Sequence, residues 1–132
     1  MVKNAESDGA VFTAANDSRV TAFGKFMRKT RMDEFPQFIN ILKGDMAVIG
    51  PRPERPIFVK EIAEIMPFYE TRHIIKPGLT GWAQVNYSYG ETIDDSLIKL
   101  QYDLYYIKHR SIYLDMNIAF KTITTILFYR GQ

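Results

Sequence analysis

A run of charged residues, RKTRMDE at positions 28–34, has the residue types best suited to chemistry in this sequence. Its two adjacent carboxylates, Asp33 and Glu34, follow three cations, the first of which is Arg28. An aspartate can ligate a divalent metal ion or act as a nucleophile, and an arginine can hold phosphate oxygens through paired hydrogen bonds. The run therefore indicates a site for phosphate and a divalent cation. Spacing alone leaves open a plainer interpretation, in which Asp33 caps a helix among ordinary surface charges.

A further arginine, Arg52, lies within Gly-Pro-Arg-Pro at residues 50–53. The prolines on either side favour an extended backbone that presents the guanidinium in a fixed direction. Such a group suits a phosphate contact, although a rigid surface turn has the same sequence. We expect Arg28, Asp33, Glu34 and Arg52 to converge in one exposed pocket, because phosphate and metal need opposite charges close together.

Two predicted helices must position these side chains. The first begins at an N-cap at residues 17–18, is amphipathic, and carries its cations towards its C-terminal end, where the helix dipole also favours them. The second has Asp33 at its N-cap and Pro36 in its first turn, and it ends at Gly44. It carries an apolar stripe, which consists of Phe35, Phe38, Ile39 and Leu42.

The rest of the chain predicts an α+β fold that is mainly α-helical, with one or two short strands. A short strand is expected at residues 46–49, and a second at Trp82–Asn86, after turns rich in Gly and Pro. A long helix is expected to start at Thr92 with a capping box to Asp95. A last helix, apolar around much of its girth, is expected from an Asp115 cap; it suits a core or a bilayer surface.

Composition excludes several classes of protein. The chain has 132 residues, of which 46% are hydrophobic, enough for the core of one domain. It has no cysteine and only two histidines, which argues against disulfides and against a Cys- or His-based metal site. The net charge of +2 is too small to indicate a nucleic-acid partner, and there is neither a GxGxxG motif nor a P-loop. No apolar run is long enough to span a bilayer.

Two long motifs resemble the bacterial sugar transferase family. They are TRMDEFPQFINILKGDMAVIGPRP at residues 30–53 and KPGLTGWAQVN at residues 76–86. The resemblance extends from about Asp17 to about Leu127. A third stretch, YDLYYIKHRSIYLDM at residues 102–116, resembles the branch that initiates exopolysaccharide repeat units. Members are monotopic phosphoglycosyl transferases, which move a sugar-1-phosphate from a UDP-sugar to a polyprenyl (undecaprenyl) phosphate.

The resemblance implies a role for each candidate residue. Asp33 would attack the donor β-phosphate to form a covalent sugar-phosphoryl aspartate. Mg²⁺ would be held by Asp33, with Glu34 either ligating the ion or orienting Asp33. Arg28 and Arg52 would clamp phosphate oxygens, and Gln84 in the second motif would contact substrate.

Family members also carry a membrane-inserted helix and a basic motif before the matched region. We therefore expect a flexible segment at residues 1–16 and a soluble catalytic domain at residues 17–132 that turns over poorly alone. The complete protein would lie on the cytoplasmic face of the bacterial inner membrane and contact its surface, with a homo-oligomer left open. The competing hypothesis is a non-catalytic basic module that docks on a membrane or a partner. It accounts for the five cations between residues 19 and 31, but not for the acid pair within two family motifs.

Overall fold

The computed structural model describes residues 19–29, 32–87 and 92–129. The predictions for residues 1–16 and for the first N-cap lie outside these ranges. Within them the chain is mainly α-helical with two short parallel strands, which confirms the predicted fold class. The elements in chain order are α1 (Ala22–Lys29), a first 3₁₀ helix (Met32–Glu34), α2 (Phe35–Lys43), β1 (Ala47–Ile49), α3 (Pro56–Ile65), a second 3₁₀ helix (Tyr69–Ile74), β2 (Gly78–Thr80), α4 (Trp82–Asn86), α5 (Ile93–His109) and α6 (Ile112–Tyr129).

The two strands join the two long motifs. β1 pairs with β2 in parallel, with Ala47 opposite Gly78 and Ile49 opposite Thr80. Beyond the ladder, the Gly50 amide donates to the Thr80 carbonyl at 2.9 Å, and the Gly78 amide donates to the Pro51 carbonyl at 2.8 Å. A Cβ on Gly78 would lie 2.1 Å from the Gly50 nitrogen, so the backbones approach this closely only because Gly78 has no side chain.

The second strand is not where the sequence predicted it. Trp82–Asn86 forms α4, whereas the strand lies earlier, at Gly78–Thr80. The segment KPGLTG has the composition of a turn, and it was therefore predicted to be one. Its glycines instead allow the backbone to lie close to the segment that contains β1 and Gly50. Pairing between distant segments overrides local strand propensity in such cases. The prediction of a strand near residues 46–49 is confirmed by β1.

The core lies mainly among the later helices. One cluster of buried side chains joins α3, the second 3₁₀ helix and α5 through Phe58, Ile62, Met66, Tyr69 and Leu100. A second cluster joins α5 to α6 through Tyr106, Leu114 and Ile118. Because α5 contributes to both, it is the central element of the packed region. Removal of this apolar surface from water is the main force that holds the helices together.

The ends of the helices confirm some predicted caps and correct others. At α5, the Thr92 hydroxyl accepts from the Asp95 amide at 3.1 Å, and the Asp95 carboxylate accepts from the Thr92 amide at 3.0 Å, as expected. Asp115 does not cap α6, because the helix begins earlier and the Ser111 hydroxyl accepts from the Leu114 amide at 3.2 Å. The Asp115 carboxylate instead accepts from the Tyr106 hydroxyl at 2.6 Å.

Helix α2 differs from the later helices because none of its residues is buried. The whole predicted apolar stripe faces outward, and Leu42 is 88% exposed. Gly44 ends the helix as predicted, in a left-handed conformation (φ 84°), and its amide donates to the carbonyls of Asn40 and Ile41. No helix within the described ranges is both long and apolar enough to cross a membrane.

Candidate functional site

The structure brings together two of the four charged residues expected to converge. A guanidinium nitrogen of Arg52, Nη2, lies 3.5 Å from Oε1 of Glu34, across the helix that separates them in sequence. The Arg52 side chain is 44% exposed and that of Glu34 is 17% exposed. Asp33 precedes Glu34 and is exposed, and Arg28 is exposed in the last turn of α1, which packs against the first 3₁₀ helix. Arg52 and Glu34 therefore lie side by side, and the exposed Asp33 is next to Glu34 in the chain. The convergence of Asp33 and Arg28 with this pair stays a prediction.

Asp33 is not the N-cap of α2, so the capping interpretation is wrong. The helical backbone starts earlier than predicted, as a 3₁₀ turn that contains Asp33, and the cap position falls to Glu34. Glu34 has helical backbone angles (φ −88°, ψ −6°), and its side chain makes no capping hydrogen bond. Pro36 lies in the first turn of α2 as predicted. The Asp33 carboxylate remains near a helix N-terminus, where free amides favour negative charge.

Arg52 is held through its backbone by a residue that the sequence analysis missed. Nη2 of Arg72 donates to the Arg52 carbonyl at 2.8 Å, and Nη1 of Arg72 donates to the Tyr69 hydroxyl at 2.5 Å. The same Nη2 lies 2.8 Å from Oδ2 of Asp103 on α5. The opposite charges of Arg72 and Asp103 form an ion pair. Arg72 and Asp103 are both almost completely buried.

Burial determines the pKa values in the cluster formed by Arg72, Tyr69 and Asp103. Removal from water raises the pKa of Asp103 to about 6, and the attraction of Arg72 only partly opposes the rise. Burial also raises the pKa of the Tyr69 hydroxyl, again against the effect of Arg72. No local signal in the sequence could have identified Arg72 as the charged partner of Asp103, because the two residues are far apart in the chain.

Gln84, the predicted substrate contact, lies half-buried in α4. Its Nε2 donates to the Leu79 carbonyl at 3.3 Å, and its buried Oε1 has no hydrogen-bond partner among the described residues. In the structure the carboxamide therefore supports the corner between β2 and α4, and its contact with substrate stays a prediction.

The motif at residues 76–86, which contains β2 and α4, contacts α6 through several side chains. Lys121 Nζ lies 4.6 Å from the centroid of the Trp82 ring and donates to the Asn86 side-chain oxygen at 2.7 Å. The hydroxyls of Thr80 and Thr122 are 2.8 Å apart. These contacts fix the β2–α4 corner against α6, and β2 in turn fixes the loop that carries Arg52.

The acid pair has the donor chemistry for Mg²⁺. No group of three or more metal-ligating side chains of the His, Cys, Asp or Glu type occurs in the part of the chain that the structure describes. Mg²⁺ does not need such a cage, because it is usually held by one or two carboxylates together with water and substrate phosphates. Two adjacent carboxylates, with Asp33 exposed, fit that pattern.

Comparison with known proteins agrees with the fold and with the motifs. The chain matches the family described as bacterial sugar transferase over residues 1–129, and it belongs to that family. This identifies the class of protein that carries the Asp33–Glu34 pair and Arg52.

Three relatives illustrate the range of the family. The chain is 54% identical to a UDP-N-acetylgalactosamine-undecaprenyl-phosphate N-acetylgalactosaminephosphotransferase of Aeromonas hydrophila, over 96% of this chain and 30% of the relative. It is 43% identical to a UDP-glucose:undecaprenyl-phosphate glucose-1-phosphate transferase of Escherichia coli K12, over 92% of this chain and 27% of the relative. It is 38% identical to an undecaprenyl-phosphate galactose phosphotransferase of Salmonella typhimurium, over 88% and 23%. The chain thus spans less than a third of the length of these three relatives.

Proposed function

We propose that the complete protein transfers a sugar-1-phosphate from a UDP-sugar to undecaprenyl phosphate and so initiates exopolysaccharide synthesis on the cytoplasmic face of the bacterial inner membrane. The observation that carries the proposal is the placement of Arg52 against Glu34, beside Asp33, in a chain of this family. The relatives' names support the reaction, but they give three different sugars, so the proposal specifies only the class of UDP-sugars.

The proposed reaction proceeds through two displacements at one phosphorus atom. A carboxylate oxygen of Asp33 bonds to the β-phosphorus of the UDP-sugar, the bond to the bridging oxygen breaks, and UMP leaves with the electron pair. A phosphate oxygen of undecaprenyl phosphate then bonds to that phosphorus, and the bond to Asp33 breaks, which regenerates the carboxylate. Covalent catalysis of this kind divides one difficult step into two and predicts ping-pong kinetics.

The cations counter the repulsion between an anionic nucleophile and an anionic donor. The exposed guanidinium of Arg52 suits two-point contact with diphosphate oxygens, and Arg28 would supply a second positive charge. Positive groups placed where charge develops stabilise the transition state. Asp33 and Glu34 would hold Mg²⁺, which neutralises diphosphate charge when bound.

The exposed apolar surface near Asp33 supports contact with a membrane. On α1, Phe23 is 70% exposed and Phe26 is 56% exposed, beside the exposed cations Lys25 and Arg28. The outward stripe of α2 begins immediately after Glu34. Cations beside aromatic side chains match an anionic bilayer surface, and undecaprenyl phosphate is a membrane lipid. A site at this surface would meet its acceptor without extracting it from the bilayer.

A covalent adduct tests the proposal most directly. The complete protein in membranes is incubated with a UDP-sugar labelled at the β-phosphate, without acceptor, and quenched in acid. We expect a labelled protein adduct that Asp33→Asn abolishes together with turnover, because an amide is a far weaker nucleophile. Asp45→Asn is the matched control, since Asp45 is an exposed aspartate in the loop after α2. An adduct that survives Asp33→Asn would remove Asp33 from the role of nucleophile.

The second candidate function, a non-catalytic docking module, is favoured by the same exposed faces of α1 and α2. It predicts membrane binding without release of UMP, and indifference to Asp33→Asn. UMP release by the wild-type protein that is lost in Asp33→Asn would exclude it.

A further inference from the structure

Arg72 is the most buried cation that the structure describes outside the candidate site, and it contacts three separate parts of the chain. Its side chain lies within the packed region at 5% exposure. One nitrogen donates to the Tyr69 hydroxyl within the second 3₁₀ helix, and the other contacts both Asp103 on α5 and the Arg52 carbonyl. The cluster thus connects the central helix of the core directly to the loop whose arginine faces Glu34.

Stability alone does not account for this arrangement. Removal of two charges from water is costly, and a buried ion pair is often no more stabilising than apolar residues of similar size. In addition, Nε of Arg72 has no hydrogen-bond partner among the described residues. If the Arg72–Asp103 pair served only to hold α5 against the second 3₁₀ helix, we would expect all of its buried polar atoms to have hydrogen-bond partners.

The position of the Arg52 carbonyl suggests what the cluster does. The backbone at Arg52 is restricted by Pro51 and Pro53, so a fixed carbonyl leaves the residue little freedom to rotate. The direction of its Cα–Cβ bond is then set, and with it the surface that the guanidinium can reach. We propose that Arg72, held by Asp103 and Tyr69, is a positioning residue that orients Arg52 towards the diphosphate of the donor. This inference rests on the proposed function, in which Arg52 binds that diphosphate.

Only arginine suits the position. Its planar group presents several donors at fixed angles, so one side chain can contact a hydroxyl, a carboxylate and a carbonyl at once. Lysine would keep the charge near Asp103 but would lose the fixed fork. Arg72→Lys therefore keeps the positive charge that neutralises Asp103 but removes the hydrogen-bond geometry that would position Arg52.

A double-mutant cycle tests the proposal in the complete protein in membranes, with UMP release as the measure of kcat/KM for the UDP-sugar. We expect Arg72→Lys to lower kcat/KM by up to about 10²-fold, the size of effect that misplacement of a binding group produces. We expect the double variant Arg72→Lys/Arg52→Ala to be no worse than Arg52→Ala alone. Once the Arg52 side chain is absent, nothing remains for Arg72 to orient.

The controls separate positioning from structural damage. Tyr106→Phe removes another buried hydroxyl contact, the one to Asp115, which joins α5 to α6 elsewhere in the core. Tyr106→Phe should therefore change kcat/KM by the same factor in the wild-type protein and in the Arg52→Ala variant. Tyr69→Phe removes one hydrogen bond from Arg72 and provides a milder variant for the same cycle if Arg72→Lys does not fold.

Each outcome decides the matter. A loss on Arg72→Lys or Tyr69→Phe that disappears in the Arg52→Ala background supports the positioning role. If Arg52→Ala is strongly impaired but the losses multiply in the double variants, the positioning role is wrong while the proposed function stands. If Arg52→Ala keeps the wild-type kcat/KM, the proposed role of Arg52 fails, and this inference fails with it.

Discussion

Helices α2 and α5 differ in how they use their apolar residues. Helix α2 buries none of its side chains, although Leu42 and the rest of its stripe are strongly apolar. Helix α5 contributes to both core clusters and places Asp103 and Tyr106 at 1% exposure. The acid pair lies in the 3₁₀ helix immediately before α2, whereas α5 contributes Asp103, which contacts the Arg72 side chain that donates to the Arg52 carbonyl. The candidate site therefore lies where a packed scaffold meets an outward-facing apolar surface.

The contacts across this boundary are of two kinds. The backbone contacts are firm: the Asp45 amide donates to the Asn40 carbonyl at the end of α2, and β1 then pairs with β2. The Arg52–Glu34 ion pair is partly exposed, and pairs of this kind contribute at most about 1 kcal/mol to stability. Since so little holds Arg52 to Glu34, the diphosphate of the proposed donor would displace Glu34 from the guanidinium at little cost to the stability of the fold.

Glu34→Gln tests whether this ion pair takes part in the proposed reaction. The substitution removes one charge but leaves the Asp33 carboxylate in place. Loss of one electrostatic contact in such a site costs about 10²–10³ in rate, or roughly 3–4 kcal/mol of transition-state stabilisation. We expect impaired but detectable turnover in the complete protein, with an almost unchanged midpoint of thermal unfolding. Wild-type turnover would show that Glu34 takes no part, and complete loss would make it equivalent to Asp33.

A matched pair of alanine substitutions tests the contrast in packing. Ile118 on α6 is fully buried, so Ile118→Ala should lower the free energy of unfolding by about 2–5 kcal/mol. Leu42 on α2 is 88% exposed, so Leu42→Ala should change it by less than about 0.5 kcal/mol. Urea unfolding of the two variants measures both values. A large destabilisation by Leu42→Ala would show that α2 packs against something other than the described residues.

Leu42→Ala should affect membrane binding instead, because loss of exposed apolar surface weakens insertion at a bilayer boundary. Co-sedimentation with vesicles that contain anionic phospholipid measures this binding, and Leu97→Ala, an exposed leucine on α5, is the control. Equal binding by both variants would count against α2 as the membrane-facing surface.

The sequence predicted the features that depend on neighbouring residues. The capping box at Thr92, the Gly44 stop and the strand near residues 46–49 all follow from signals within a few positions, and all are present. The strand at Gly78–Thr80 escaped prediction because its glycines are explained only by the approach of Gly50, which lies 28 positions away in the sequence.

The candidate site shows the same division. The acid pair and Arg52 were identifiable from residue type and from family motifs, and the fold then places Arg52 against Glu34. Arg72 and Asp103 were not, because each looks like an ordinary helix residue until the fold brings them together. Long-range electrostatic partners have no signature in a single sequence.

The pH dependence of stability tests the buried part of the comparison, the environment of Asp103. Burial raises the pKa of Asp103 in the folded chain to about 6, against 3.8 for an ordinary aspartate. Between these pH values the folded chain binds more protons at this position than the unfolded chain does. The contribution of Asp103 to stability is therefore most favourable below about pH 4, and it falls as the pH rises towards 6.

Asp103→Asn removes this titration while keeping the shape of the side chain. The free energy of unfolding of the wild type minus that of Asp103→Asn should fall by on the order of 1–3 kcal/mol between pH 4 and pH 7. Other carboxylates titrate in both proteins and largely cancel in the difference. Arg72 opposes the trend, Lys99 opposes it more weakly, and Glu54 reinforces it. Urea unfolding at several pH values measures the difference. A difference that rises with pH would mean that attraction by Arg72 outweighs the cost of burying the carboxylate, and Asp103 would then be a stabilising partner of Arg72 at neutral pH.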